Sequence, residues 1–266
     1  MKSASLPTSV RSLTLTLGLG TNAIQIGVTD TGNCLFLEEY PLNDPTTDEE
    51  YLSEIQLLFA EHELLQRTLW NAIRIIINNQ SFTLVPETLF RKEFAVNCLS
   101  LARGQSVDNE AIFVTPHAQW QAFTVFSFPK NVSDWLLETY PFENLIIRHQ
   151  TDLLLGLNLP ERCLAIYVAN NTATILFTDQ AALRYCNRFV FRTSLDVIYY
   201  ILFVLNELQI NTAKESVWLF GDVSPDLQQG LQKYLAHLHI GVPDSVHVSE
   251  LADFPISPLA GVLVGL

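Results

Sequence analysis

Charge is scarce in this sequence, and positive charge is scarcest. Only 16% of the 266 residues are charged, and 15 Lys+Arg face 28 Asp+Glu, for a formal net charge of −13. No basic run offsets that balance locally. This argues against nucleic-acid binding, which needs phosphate neutralisation, and against electrostatic attachment to an anionic membrane. Cysteine is also sparse. Cys34, Cys98, Cys163 and Cys186 stand far apart with no C-x-x-C pair, which fits a reducing compartment where each behaves as a small hydrophobe. Long apolar runs are missing: the longest, Val197 to Leu205, is about half of the roughly 20 residues of a membrane span. Lys2 and Arg11 ahead of Leu13–Gly20 loosely imitate a signal peptide, but no small-x-small site stands out. The Leu-Thr-Leu-Thr-Leu alternation there has the period of a strand. A soluble, cytoplasmic chain is expected. The marks of disorder are absent too, since 48% of the residues are hydrophobic. That fraction at this length suits one compact unit or two small domains.

What is present is alternation. Residues 13–19 and 23–28 alternate apolar with polar or glycine around the turn Gly20-Thr21-Asn22, a hairpin signal. Thr29-Asp30-Thr31-Gly32 is a second turn, followed by a strand from Cys34 to Tyr40. The acidic, proline-bearing stretch Pro41–Glu50 leads into a helix over Tyr51–Leu65. Asp48, Glu49 and Glu50 suit its N-terminus, and Leu52, Ile55, Leu58, Phe59, Leu64 and Leu65 follow its spacing. Ile73–Ile77 reads as a strand covered on both faces. Pro86 is expected to open another helix with Leu89, Phe90, Phe94, Cys98 and Leu101 along one side. Strands around Phe113 and over Phe123–Phe128, a helix near Val132–Tyr140 and a strand over Leu145–Arg148 follow. Gly156–Arg162 is the expected linker between domains 1–155 and 156–266.

Beyond that linker the beginning recurs. A constant offset of 149, the spacing of Leu15 and Leu164, sets Leu15, Leu17 and Leu19 on Leu164, Ile166 and Val168. The same offset sets Asn22 on Asn171 and Thr29-Asp30 on Thr178-Asp179. A third strand (Leu183–Phe191), a helix (Leu195–Leu208) and a buried strand (Val217–Phe220) come next. Single identities between alternating strands mean little. Strand-strand-strand-helix-strand occurring twice with the same turn points to duplication.

Several stretches carry a resemblance: Phe82-Thr-Leu-Val-Pro-Glu-Thr-Leu-Phe90, Asn187-Arg-Phe-Val-Phe191 with Asp196-Val-Ile-Tyr-Tyr-Ile-Leu-Phe203, and Val217-Trp-Leu-Phe-Gly-Asp222. With the duplicated β-β-β-α-β-α order, the chain from about Leu13 to Leu238 resembles an uncharacterised bacterial family, a domain of unknown function. Its fold is that of the actin-like ATPases (ASKHA, ribonuclease H-like), which include actin, Hsp70, sugar kinases and the pilus-assembly protein PilM. The resemblance implies an α/β fold of two duplicated subdomains with mixed sheets. These motifs are patterns of packing more than of chemistry.

In members that hydrolyse ATP, the nucleotide lies between the halves, held by two hairpin turns and a glycine-rich turn. An Asp of the first turn engages the metal and its water, and glycine lets backbone N–H groups approach the phosphates. Here the match is Leu15-Thr-Leu-Gly18-Leu-Gly20-Thr21, with Gly18 where the Asp belongs. The second turn matches Ala169-Asn170-Asn171-Thr172, with neither Asp nor Gly; the two Asn residues suit a tight hairpin turn. The adenosine turn, Leu219-Phe220-Gly221-Asp222, keeps one glycine of two and adds a carboxylate. The resemblance therefore implies a vestigial nucleotide cleft at Gly18, Gly20, Thr21, Asn22, Asn170, Asn171, Thr172, Gly221 and Asp222. Hydrolysis is expected to be lost, with no catalytic residue, no metal and no cofactor. The alternative is a divergent enzyme taking ATP with magnesium through Asp222 or Asp196.

No G-x-S-x-G, G-x-G-x-x-G or Walker-type loop occurs, and Glu61-His62-Glu63 lacks the second His of a zincin helix. His237 and His239 could share a strand face and hold a metal with His247, but no carboxylate or Cys spacing completes such a site. Two functions remain open: a non-catalytic scaffold for an unidentified protein partner, or the divergent ATP-binding protein. The scaffold would use the cleft, edge strands, or aromatics such as Trp120, Trp135 and Phe142. Neither nucleic acid nor direct membrane insertion is expected, and the oligomeric state is left open.

Overall fold

The structure, a computed structural model, describes residues 13–30, 33–67, 69–157, 159–169 and 171–241. The chain divides after Leu155 into two compact units.

In the first unit, β1 (Thr14–Gly20), β2 (Ala23–Asp30) and β3 (Asn33–Pro41) form an antiparallel meander. β4 (Ala72–Asn78) and β8 (Leu145–His149) extend it in parallel, in the order β3-β2-β1-β4-β8. The alternation of β1 sends Leu15, Leu17 and Leu19 to one face, where they meet Ile24, Ile26, Ile73, Ile75 and Ile77. Helix α1 (Asp48–Glu61) covers that face with Ile55 and Phe59. Its N-cap is Thr47, whose hydroxyl accepts the Glu50 N–H, while the Glu50 carboxylate accepts the N–H and hydroxyl of Thr46. The helix ends before Leu64 and Leu65, because His62 turns to φ −97°, ψ 112°. Both leucines still reach the core from the turn beyond.

Between β4 and β8 the chain builds a second, three-stranded antiparallel sheet, β5-β7-β6, from β5 (Phe82–Pro86), β6 (Glu110–His117) and β7 (Ala122–Pro129). One face packs α2 (Ala95–Arg103) through Ala95 and Leu99; Phe126 and Phe128 carry the other face into the main core. Helix α3 (Lys130–Thr139) adds Val132 and Leu136 to that core, and α4 (Gln150–Leu155) closes the unit. The helix expected from Pro86 is corrected here. Pro86 ends β5, which among the described residues pairs with β7 alone, an edge position where its missing N–H is tolerated. The helix starts nine residues later, and Leu89, Phe94 and Leu101 face solvent.

The second unit repeats the pattern. β9 (Cys163–Ala169), β10 (Thr172–Asp179) and β11 (Ala182–Val190) each begin and end 149 residues after β1, β2 and β3. The ladder defect recurs as well. β2–β3 shifts register at Val28/Thr29, passing over Leu35, and β10–β11 shifts at Phe177/Thr178, passing over Arg184, again 149 residues on. The bond closing each meander also recurs, Leu42 N–H to Asn22 O at 2.8 Å and Phe191 N–H to Asn171 O at 2.9 Å. Helix α5 (Ser194–Glu207), β12 (Ser216–Gly221), α6 (Pro225–Gln232) and β13 (His237–Ile240) complete the sheet β11-β10-β9-β12-β13. Leu164 faces Val217 in parallel as Leu15 faces Ile73. Among the described residues no helix is long and apolar enough to cross a membrane.

Candidate functional site

The first turn lies at the end of β1. Gly18 and Gly20 are buried, Thr21 and Asn22 exposed. Gly18 pairs with Gln25 of β2 and Ile76 of β4, on the face away from Leu17 and Leu19. The turn's carbonyls are occupied from within the unit: Gly20 O accepts the Tyr51 hydroxyl at 2.9 Å, and Asn22 O accepts Leu42 N–H. Beside it opens a pocket of about 180 Å³, floored by Leu19, Ile77, Phe128 and Pro129 and rimmed by Thr47, Asp48 and Asn79. Asp48, Glu49 and Glu50 crowd the first turn of α1. Partial desolvation, then Glu49 and Glu110, push the Asp48 carboxyl above its ordinary value.

The chemistry of this turn does not suit a magnesium–polyphosphate: beside it a polyphosphate would meet the carboxylates that open α1. Gly18 contributes none on the metal side. Among the described residues no three His, Cys, Asp or Glu side chains gather as metal ligands.

In the second unit, two sequence-predicted turns come together, because β9 and β12 are parallel neighbours ending at the same edge. Asn170 lies outside the described residues. Asn171 takes φ +58°, and the Thr172 hydroxyl donates to Ala169 O at 2.6 Å. Thr172 Oγ1 also accepts from Arg188 of β11 at 2.7 Å. Desolvation pulls the Arg188 guanidinium down to about 10. Gly221 is required by shape. Its φ is +93°, and a Cβ there would sit 2.1 Å from the Val168 carbonyl oxygen. The next N–H, of exposed Asp222, donates to that same oxygen at 2.7 Å. Asp196 is committed to the α5 cap, where its carboxylate accepts the N–H groups of Arg192 and Thr193.

A buried polar cluster in the first unit escapes sequence reading. Asp152 accepts from His117 Nε2 at 3.0 Å and from the His149 N–H at 3.0 Å, and Thr124 Oγ1 lies 2.8 Å from the same His117 nitrogen. His149 Nε2 donates to Asn79 O, and its Nδ1 accepts the Thr151 N–H. Burial alone would raise the Asp152 carboxyl. The His117 bond, the proximity of His149, Thr124 and the backbone N–H outweigh it and hold the carboxyl below its usual range. These residues fasten the three-stranded sheet to β8 and α4. No spacing in the sequence could have joined them, since His117 and Asp152 meet only through the fold.

Of the other candidates, His237 and His239 lie on β13, and the His239 ring stacks on Trp218 at 4.5 Å; His247 lies outside the described residues. Trp120 donates its Nε1–H to Leu155 O at 2.7 Å, and Trp135 packs edge-on against Phe59 at 4.7 Å. Both are half-buried and already engaged. The side chain of Phe142 lies outside the described residues.

The family profile that matches the chain, over residues 7–238, is described as a protein of unknown function, DUF3822. No curated protein sequence matches it. A Bacteroides thetaiotaomicron protein with actin-like ATPase fold and unknown function superposes with a TM-score of 0.76 at 20% identity, over 87% of this chain and 91% of that one. The PilM–PilN type IV pilus biogenesis complex gives a TM-score of 0.65 at 14% identity, over 98% of each chain. At such identities the likeness is one of fold.

Proposed function

This chain belongs to the DUF3822 family and carries the actin-like ATPase fold, and from that premise we propose that it is a non-catalytic scaffold that binds another protein in the cytoplasm. The carrying observation is chemical: neither phosphate turn has a carboxylate, because Gly18 occupies the metal-binding position and the Ala169–Thr172 turn has no Asp. In-line phosphoryl transfer relies on a metal held by such groups and on a positioned water. The residues kept in common with nucleotide-binding members have structural duties that support the same reading. Gly221 clears the Val168 carbonyl, and the Gly20 carbonyl holds Tyr51. The PilM structure that shares this fold is a complex with PilN, which supports a protein partner as one use of the fold. Four dispersed free thiols suit a reducing compartment.

Two measurements test the reading. The purified chain should show no magnesium-dependent ATP turnover above background and no rise in melting temperature with ATP and magnesium, since a ligand of the folded state must raise it. Affinity capture from the native organism should return a reproducible protein partner. Turnover that a bulky substitution at Gly20 abolishes would return ATP with magnesium as the ligand and overturn the scaffold.

A further inference from the structure

We infer that the outer ridge of α5 is the contact face of a two-fold pair of this chain. The inner face of α5 is spent on the core through Val197, Ile198, Ile201, Val204 and Leu205. Its outer face is apolar too: Leu195, Tyr199 and Phe203 follow one another at four-residue spacing and are 74%, 63% and 47% exposed. No charged residue lies between Asp196 and Glu207. A helix apolar all round is normally a covered helix.

The charges at its two ends indicate what covers it. Glu207, exposed, continues the ridge at the C-terminal end of the helix, where a negative charge opposes the helix dipole; Arg192, exposed, lies just before the N-cap, where a positive charge opposes it. Each sign is wrong for its own helix and right for an antiparallel copy. Ridges at four-residue spacing interdigitate when helices cross. If two copies cross antiparallel at Tyr199, Leu195 of one meets Phe203 of the other, and Glu207 comes to the level of Arg192. Both charge pairs then form, and each also meets the favourable end of the opposite helix. Asp196 attracts Arg192 within the same chain while its carboxylate accepts the Arg192 and Thr193 N–H groups, so the Glu207 of a second copy adds to that contact. One ridge is small beside the roughly 800 Å² per partner of stable interfaces, and a net charge of −13 on each copy opposes approach. The pair is therefore concentration-dependent.

Sedimentation equilibrium of the full chain at physiological salt tests this. The average mass should climb from one chain toward two as concentration rises into the hundreds of micromolar. Tyr199→Glu should abolish the climb while the melting temperature holds, because the side chain is outside the core. Arg192→Glu and Glu207→Arg should each weaken association by about fivefold, the scale of two exposed ion pairs lost. The double exchange should associate more tightly than either single variant, because the ion pairs re-form, yet stay weaker than the parent, because the exchanged charges meet the unfavourable ends of the opposite helices. A chain that stays monomeric throughout, association untouched by Tyr199→Glu, or a double exchange that associates no better than either single variant would each overturn the proposal.

Discussion

At the scale of single residues, two glycines show how surroundings decide what a methyl group does. At Gly221 the added Cβ meets a backbone oxygen at 2.1 Å while φ is +93°, so neither partner can yield without breaking the β9–β12 edge. Gly221→Ala should lower stability by about 2–4 kcal/mol, combining backbone strain with overpacking, as a urea titration would read. At Gly230 the obstacle is Ile198 Cδ1 at 2.3 Å, the far end of a side chain that can rotate. Helix propensity there favours Ala by about 1 kcal/mol. Gly230→Ala should therefore stay within about 1 kcal/mol of the parent, the repacking cost and the propensity gain opposing each other.

At the scale of elements, the two duplicated helices keep the same entry. Thr47 and Thr193 both cap by accepting the N–H three residues on, and in both helices that residue's carboxylate, Glu50 or Asp196, reaches back to backbone N–H groups ahead of the helix. Thr193→Ala should cost about 1 kcal/mol. Because the two halves of the box act together, adding Asp196→Ala should cost less than its single effect, which a double-mutant cycle of melting curves measures. The element that departs from duplication is the three-stranded sheet between β4 and β8. It needs its own attachment, and the Asp152 cluster supplies it.

At the scale of the whole molecule, that attachment makes the protein acid-sensitive. The folded-state value of Asp152 lies below its ordinary value, so its stabilisation is complete above the unfolded value, about 3.9. It is lost as pH falls through the lower folded value, where protonation removes the acceptor that His117, Thr124 and the His149 N–H share. Asp152→Asn should destabilise the chain by about 1.5–3 kcal/mol at neutral pH, the scale of hydrogen bonds lost to a charged acceptor. The variant should also lose part of the parent's decline in melting temperature below pH 4. An equal decline in both proteins would show that other carboxylates set the acid limit.

Sequence alone determined the duplicated meander. Alternation with period two assigns each side chain to a face, and turns at Asn22 and Asn171 punctuate it, so β1–β3 and β9–β11 could be aligned residue by residue. It also determined that neither the Gly18–Thr21 stretch nor the Ala169–Thr172 stretch carries a carboxylate, since a residue type needs no coordinates to be read. Only tertiary structure decided that Pro86 closes an edge strand, that Leu101 faces water while Leu99 is buried, and that Gly221 answers to the Val168 carbonyl. It also decided that His117, Thr124, His149 and Asp152 form one cluster. Local periodicity records how each residue is placed relative to its own strand or helix. Which elements become neighbours depends on strand order and crossover, and those pairings bring together residues that no spacing in the chain connects.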